Sequence, residues 1–276
     1  MSQALIFKAP AACGSVGLGN RNAYWTPELM AGIIANWNAD TASFNTASPP
    51  QLTGWESRVG SGLLIPASGL LPTQEGIANT HPLVRFTSGR YCTVSGAGSF
   101  ANGYPYIFAA MYINTLPTAA SYIYQNSGAG ANSTGMSLQA NGNLRCYIGN
   151  ITMNSPTSAF TTGLNILGVY YDASAGTYKL RVNGSTVTTI PTGTVNQVSY
   201  TLNGTVGAYQ NATNALLDTA LYSVVVGQGS FVTAANANGI NSDITKIEGY
   251  LANKISPTAF LPNGHPFQSL LPQLLN

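Results

Sequence analysis

Carboxylates, imidazoles and thiols number eight, two and three in this chain of 276 residues. Hydrolysis of a glycosidic bond generally uses two carboxyl groups roughly 5–10 Å apart. On one strand that means residues two or four positions apart on the same face. The acids are Glu28, Asp40, Glu56, Glu75, Asp172, Asp218, Asp243 and Glu248. The closest pair, Asp243 and Glu248, falls in a segment that reads as a helix, and no E-x-D-x-E run occurs. His81 and His265 both precede proline, which favours turn or extended backbone, so they read as turn or packing residues. A catalytic dyad would need one of them beside a serine or cysteine in space. Cys13, Cys92 and Cys146 are far apart and form no C-x-x-C, so no zinc site is expected. Calcium usually takes two or more carboxylates, which leaves at most a weak site open. Gly96-Ala-Gly98 mimics a dinucleotide fingerprint, but Asn102-Gly-Tyr-Pro105 follows where a helix should begin. The expectation is that the chain is not an enzyme and has no catalytic, cofactor-binding or metal residue.

Tyrosine is the richer resource, with 15 in the chain. Tyr104, Tyr106, Tyr112, Tyr122, Tyr124, Tyr147, Tyr170 and Tyr171 fall in runs that read as strands. Period two puts Tyr104, Tyr106 and Phe108 on one face and Ile107, Ala109 and Met111 on the other. One face must be core. The other offers a large apolar area with a polar tip, suited to stacking on a sugar or to a subunit contact. Tyr104 and Tyr106 are the residues expected to stack on a glycan.

Only 7% of residues are Asp, Glu, Lys or Arg, against about 25% in an average soluble domain. The net charge of +2 is spread thinly, which argues against a nucleic-acid partner. No run reaches the roughly 18 apolar residues that a membrane helix needs, so no membrane insertion is expected. The opening Met1-Ser-Gln-Ala-Leu-Ile-Phe-Lys8 lacks a basic region followed by an apolar run, so no export signal is expected. Cys92 and Cys146 sit in strand-like runs and read as small buried hydrophobes.

The elements that would position these residues are mostly strands. From residue 82 onward, alternating runs such as Ser121–Gln125, Leu144–Ile148 and Tyr178–Val182 are separated by Gly, Asn and Pro clusters. Asn141-Gly142 and Asn183-Gly184 between such runs are strong hairpin signals. Short strands at roughly ten-residue spacing predict an all-β, antiparallel sandwich. Thr26-Pro27-Glu28 reads as a helix start leading through Met30, Ile33 and Ile34, and Ser48 to Gly69 reads as a turn-rich connection. Ile244, Ile247, Leu251 and Ile255 predict a helix over about 243–255, capped by Ser242 or Asp243 and stopped by Pro257. That helix is expected to lie against an edge or end of the sandwich.

Lys246-Ile-Glu-Gly-Tyr-Leu-Ala-Asn-Lys254, followed by Leu261-Pro-Asn-Gly-His-Pro-Phe267, resembles the closing segment of laminin-G/concanavalin A-like jelly-roll domains of bacterial and bacteriophage proteins. Trp25-Thr-Pro27, Trp37-Asn-Ala-Asp40 and Gly54-Trp55 are similar to the family's opening. Ile166–Asp172 with Thr177–Gly184 resembles its central hairpin. The resemblance implies a concanavalin A-like jelly-roll β-sandwich over residues 24–267, an N-terminal arm over 1–23 and a C-terminal tail over 268–276. It also implies a bacteriophage virion structural protein, either capsid decoration or a vertex- or tail-attached component, assembled in the host cytoplasm. Its partners would be other virion proteins, further copies of itself and a host surface glycan. Leu5, Ile6, Phe7, Leu270 and Leu271 are the expected partner contacts. The alternative is a carbohydrate-recognising receptor-binding module of a tail fibre or spike, with polysaccharide hydrolysis third.

Overall fold

The computed structural model describes residues 24–67, 71–76, 81–87, 89–96, 98–126, 133–149, 151–189, 197–209, 216, 218–232, 242–256, 260–268 and 272. Leu5, Ile6, Phe7, Cys13, Leu270 and Leu271 lie outside the described residues. The first strands in chain order are β1 (Ile33–Phe44), β2 (Leu52–Ser57), β3 (Leu63–Pro66), β4 (Thr73–Gly76), β5 (Pro82–Phe86) and β6 (Cys92–Ser95). Next come β7 (Ser99–Gly103), β8 (Pro105–Ile113), β9 (Ser121–Gln125), β10 (Thr134–Leu138), β11 (Leu144–Ile148) and β12 (Ile151–Asn154). The chain goes on through β13 (Gly163–Asp172), β14 (Thr177–Val182), β15 (Ser185–Thr189) and β16 (Val198–Thr201). It closes with β17 (Thr205–Val206), β18 (Thr219–Gln228), β19 (Ser230–Phe231) and helix α1 (Asp243–Ile255).

Pairing arranges these strands as a nearly closed sandwich. The first sheet runs β18, β8, β13, β14, β15, with β5 and β1 sharing the other side of β18. The second runs β2, β3, β6, β17, β9, β10, β11, β12. Strand β1 belongs to both, pairing with β18 through Ile33–Asn38 and with β2 through Trp37–Phe44. At the opposite side Thr188 Oγ1 of β15 donates to the Asn154 carbonyl of β12 at 3.0 Å. The pairs are antiparallel, as the jelly-roll expectation requires, except for a short parallel pairing of β19 with β13.

Local sequence explains each layer. In β11, Leu144, Cys146 and Ile148 enter the core while Arg145 and Tyr147 face away. Strands β8 and β18 are buried along nearly their whole length, so their sheet is covered on both faces. Tyr106, Phe108 and Ala110 of β8 share a face with Ile166 and Tyr170 of β13 by register. That apolar face is the one α1 covers, resting on β8 and β13. The helix therefore lies across the middle of the sheet, which corrects the expected edge or end position. Exposed aromatic rings there would cost more than a bare sheet edge.

Ser242 caps α1, its hydroxyl accepting from the Thr245 N–H at 3.3 Å. Ile244, Ile247, Leu251 and Ile255 are buried. Two residues of the helix then grip the segment that follows it. A side chain on Gly249 would collide with the Phe267 ring, so glycine lets Phe267 seat against the helix. Glu248 accepts from Arg181 Nε at 2.5 Å and Nη2 at 2.8 Å, and its Oε2 lies 3.1 Å from His265 Nε2. All three groups are almost wholly buried. The Phe267 N–H donates to His265 Nδ1 at 3.2 Å, which assigns the ring proton to Nε2 and directs it at Glu248. Burial lowers the Arg181 pKa, but the Glu248 carboxylate outweighs it and holds the guanidinium above its ordinary value.

The opening segment differs from its sequence reading. Only one 3-10 turn forms, Pro27–Leu29, and the Thr26 side chain caps nothing. Gly32, at φ +67°, ends the turn and β1 begins at Ile33. Period two wins here: Ala35, Trp37 and Ala39 enter the core and Asn36, Asn38 and Asp40 take the other face. The stretch read as a turn-rich connection contains β2 and β3.

Cys92 and Cys146 are free, fully buried thiols whose pKa burial pushes up. Neither is expected to react with a maleimide in the native protein at pH 8, and both should label after denaturation, as read by intact-mass spectrometry. Labelling of either within minutes in the folded state would contradict this burial.

Candidate binding face

The second sheet turns Met136, Leu138, Leu144, Cys146 and Met153 toward the core. Its opposite face carries what remains of the alternation. Register sets Tyr122, Ser137, Arg145 and Asn154 abreast on four adjacent strands. The next row is Gln125, Gly135, Tyr147 and Thr152. A register shift between Met136 and Ser137 allows Tyr124 to sit opposite Met136 while Tyr122 sits opposite Ser137.

Three rings gather there. Tyr122 and Tyr147 are stacked with centroids 6.3 Å apart and planes at 10°, and Tyr209, just past β17, approaches Tyr122 at 4.8 Å. Tyr122 is buried beneath the others, and burial pushes its phenol pKa up, aided by its contact with Tyr147. Tyr147 and Tyr209 stay half-exposed. Polar groups border the rings. Arg145 Nε donates to Asn154 Oδ1 at 2.7 Å, and Gln139 Nε2 donates to Ser137 Oγ at 2.9 Å. Gly135 has no side chain, and the Gln125 amide occupies the space a Cβ would need. Gln125 is fixed in turn by Ser133, its Nε2 donating to Oγ at 3.0 Å. Half-buried rings beside the Asn154 and Gln139 amides and the Arg145 guanidinium can stack on one side of a pyranose and hydrogen-bond its hydroxyls, while Ser137 and Gln125 are buried beneath them.

The expected stacking pair lies elsewhere. Tyr106 is fully buried between Phe108 and Phe231, and its hydroxyl donates to the Ala31 carbonyl at 3.4 Å. It cannot reach a sugar as folded, because the face it occupies is the one under α1. Tyr104 is half-buried and already stacked on Tyr171, centroids 3.9 Å apart and planes at 10°.

A second polar cluster sits where β1 leaves the first sheet. Arg58 approaches Glu28 at 3.8 Å and Asp40 at 3.7 Å. Asp40 Oδ1 lies 3.1 Å from His81 Nδ1, and Asp40 Oδ2 accepts from the Tyr222 hydroxyl at 3.3 Å. The Asn38 amide donates to Tyr222 and the Asn36 amide donates to Glu28. An imidazole whose Nδ1 proton points at a carboxylate presents Nε2 as a proton acceptor. Ser57, the nearby hydroxyl, accepts from the Asn36 and Val59 N–H groups and donates to the Val59 carbonyl, so it is fully engaged. Sequence reading left His81 and Asp40 apart, and nothing in their spacing signals the contact. Among the described residues, no three His, Cys, Asp or Glu side chains are grouped to hold a metal.

No protein-family model and no curated protein matches the chain. Solved structures do. The receptor-binding domain of botulinum neurotoxin D is similar over 72% of this chain and 50% of its own, at 9% identity and TM-score 0.51. A Trypanosoma rangeli sialidase is similar over 72% of this chain and 30% of its own, at 15% identity and TM-score 0.47. The CBM40 of Ruminococcus gnavus IT-sialidase, bound to α2,3-sialyllactose, aligns over 47% of this chain and 78% of its own, at 14% identity and TM-score 0.38. Sialidases and a leech trans-sialidase, which are enzymes, also stand among the similar structures, so the expectation that the chain is not an enzyme is withdrawn; at these identities the likeness assigns no activity. What the chain shares with the neurotoxin domain is the β-sandwich fold.

Proposed function

We propose that the protein is a carbohydrate-recognising module that binds glycans on the outer face of β9–β12. The observation that carries this reading is the double row on that face together with Tyr209 beside it: Tyr147 and Tyr209 are half-buried over Tyr122, with Asn154, Gln139 and Arg145 bordering them. Stacking supplies affinity and the polar rim supplies orientation. The botulinum neurotoxin domain is a receptor-binding one and the CBM40 is a sialyllactose-bound one, and we carry recognition of a surface glycan over to this chain as part of the same proposal. The setting proposed is a bacteriophage particle, at a tail fibre or spike, on the resemblance of the Lys246–Phe267 segment alone.

Saturable binding on a glycan array is the first expected result. Tyr147→Ala and Tyr209→Ala should each weaken it by about tenfold or more, the loss of one ring's stacking, with melting temperature little changed. No saturable binding, or binding indifferent to both substitutions, would remove this face from the reading.

A further inference from the structure

We infer that the saccharide taken by this face carries a carboxylate, which seats on Arg145. This rests on the β9–β12 face being the glycan site. All eight side-chain carboxylates lie among the described residues, so the chain's own anions can be accounted for. Arg58 serves Glu28 and Asp40, Arg85 serves Glu75 and Asp218, Lys179 serves Asp172, and Arg181 serves Glu248. None of the eight forms an ion pair with Arg145, although six of them hold a cation elsewhere.

Arg145 is held in place all the same. Its Nε donates to Asn154 Oδ1 at 2.7 Å and its Nη1 to the Tyr147 hydroxyl at 3.4 Å. Among the described residues, Nη2 makes no hydrogen bond. Arg145 is half-buried and set beside Tyr147 in the adjoining row. A planar fork fixed by two neutral partners is preorganised for a planar anion, and carboxylate is the sugar substituent that matches it. The tyrosine rings lower the local dielectric, which strengthens such a pair relative to one in open water. A neutral sugar would offer the guanidinium's free donors hydroxyl oxygens but no opposite charge.

Two acidic probes with different carboxylate sources test this by calorimetry. They are 3′-sialyllactose against lactose, and trigalacturonate against its carboxyl-reduced counterpart. At least one acidic probe should bind about tenfold to a hundredfold tighter than its neutral partner, in the range of a hydrogen bond to a charged group. Arg145→Gln should collapse that ratio toward one, and Arg145→Lys should restore only part of it. Equal binding of acidic and neutral probes, both weakened by Tyr147→Ala, would overturn the carboxylate inference while leaving the glycan face standing. An acid preference that persists in Arg145→Gln would also overturn it, by placing the anion elsewhere. Absence of binding by all four probes and by the array would remove both readings together.

Discussion

Glu248→Ala is expected to destabilise the protein by about 3–5 kcal/mol, the cost of stranding one member of a buried ion pair. The carboxylate is 1% exposed and answers Arg181, 6% exposed, and His265, 3% exposed. Among the described residues, its removal leaves the guanidinium with Thr186 Oγ1 and the Gly184 carbonyl as hydrogen-bond acceptors. It also frees the histidine that turns the chain toward Phe267. At roughly 2–4 °C per kcal/mol for a domain of this size, the midpoint should fall by roughly 6–20 °C. The double change Arg181→Met with Glu248→Met should recover much of that loss, because an apolar pair leaves no charge unpaired. A loss under about 1 kcal/mol in Glu248→Ala, measured by urea unfolding, would show that water replaces the carboxylate there and that the cluster is not a clasp.

Trp37→Ala should cost about 3–5 kcal/mol, the range for deleting a large buried aromatic side chain. Trp37 is fully buried in the stretch where β1 pairs with β18 on one side and β2 on the other. The cavity would therefore open at the seam between the sheets, where neither can close it without breaking its own ladder. The indole also donates to the Gly62 carbonyl at 3.3 Å. Trp37→Phe keeps most of the apolar area and should lose about half as much. Urea midpoints should shift with an unchanged slope, since the surface exposed on unfolding stays nearly the same. A phenylalanine variant as unstable as the alanine one would mean that the lost hydrogen bond dominates, not the cavity.

The second half of the fold was legible because its turns are chemically explicit. Asn141-Gly142 and Asn183-Gly184 stand where β10 meets β11 and β14 meets β15, and Gly142 and Gly184 both adopt positive φ. The helix was legible for a similar reason, its apolar period and cap agreeing. The first third was not. β2, β3 and β4 are four to six residues long, too short to show a period, and Thr26-Pro27-Glu28 is as good a start for one 3-10 turn as for a helix. Tyr122 and Tyr147 of the candidate face were visible as strand residues, but their assembly depends on pairing register and on the shift at Met136/Ser137. Periodicity within one strand cannot reveal which rings end up side by side. For the same reason Tyr106, correctly placed on a strand face, proved to occupy the face that the helix covers. The Glu28, Asp40, Arg58 and His81 cluster was hidden by distance along the chain.

Strand β18 has β8 on one side and β1 on the other, and this ordering bears on the speed of folding. Trp37 meets Val224, and Ile107 meets Val226, so neither neighbour is close to β18 in sequence. Closing loops of that size loses chain entropy before any contact compensates it, which is why sheets built from distant segments form in milliseconds to seconds rather than microseconds. During that interval the sides of β8 and β18 are open and apolar, and collisions between chains compete with completion of the sheet. Recovery of folded protein after denaturation should therefore be governed by chain concentration during refolding more than by the stability of the finished sandwich.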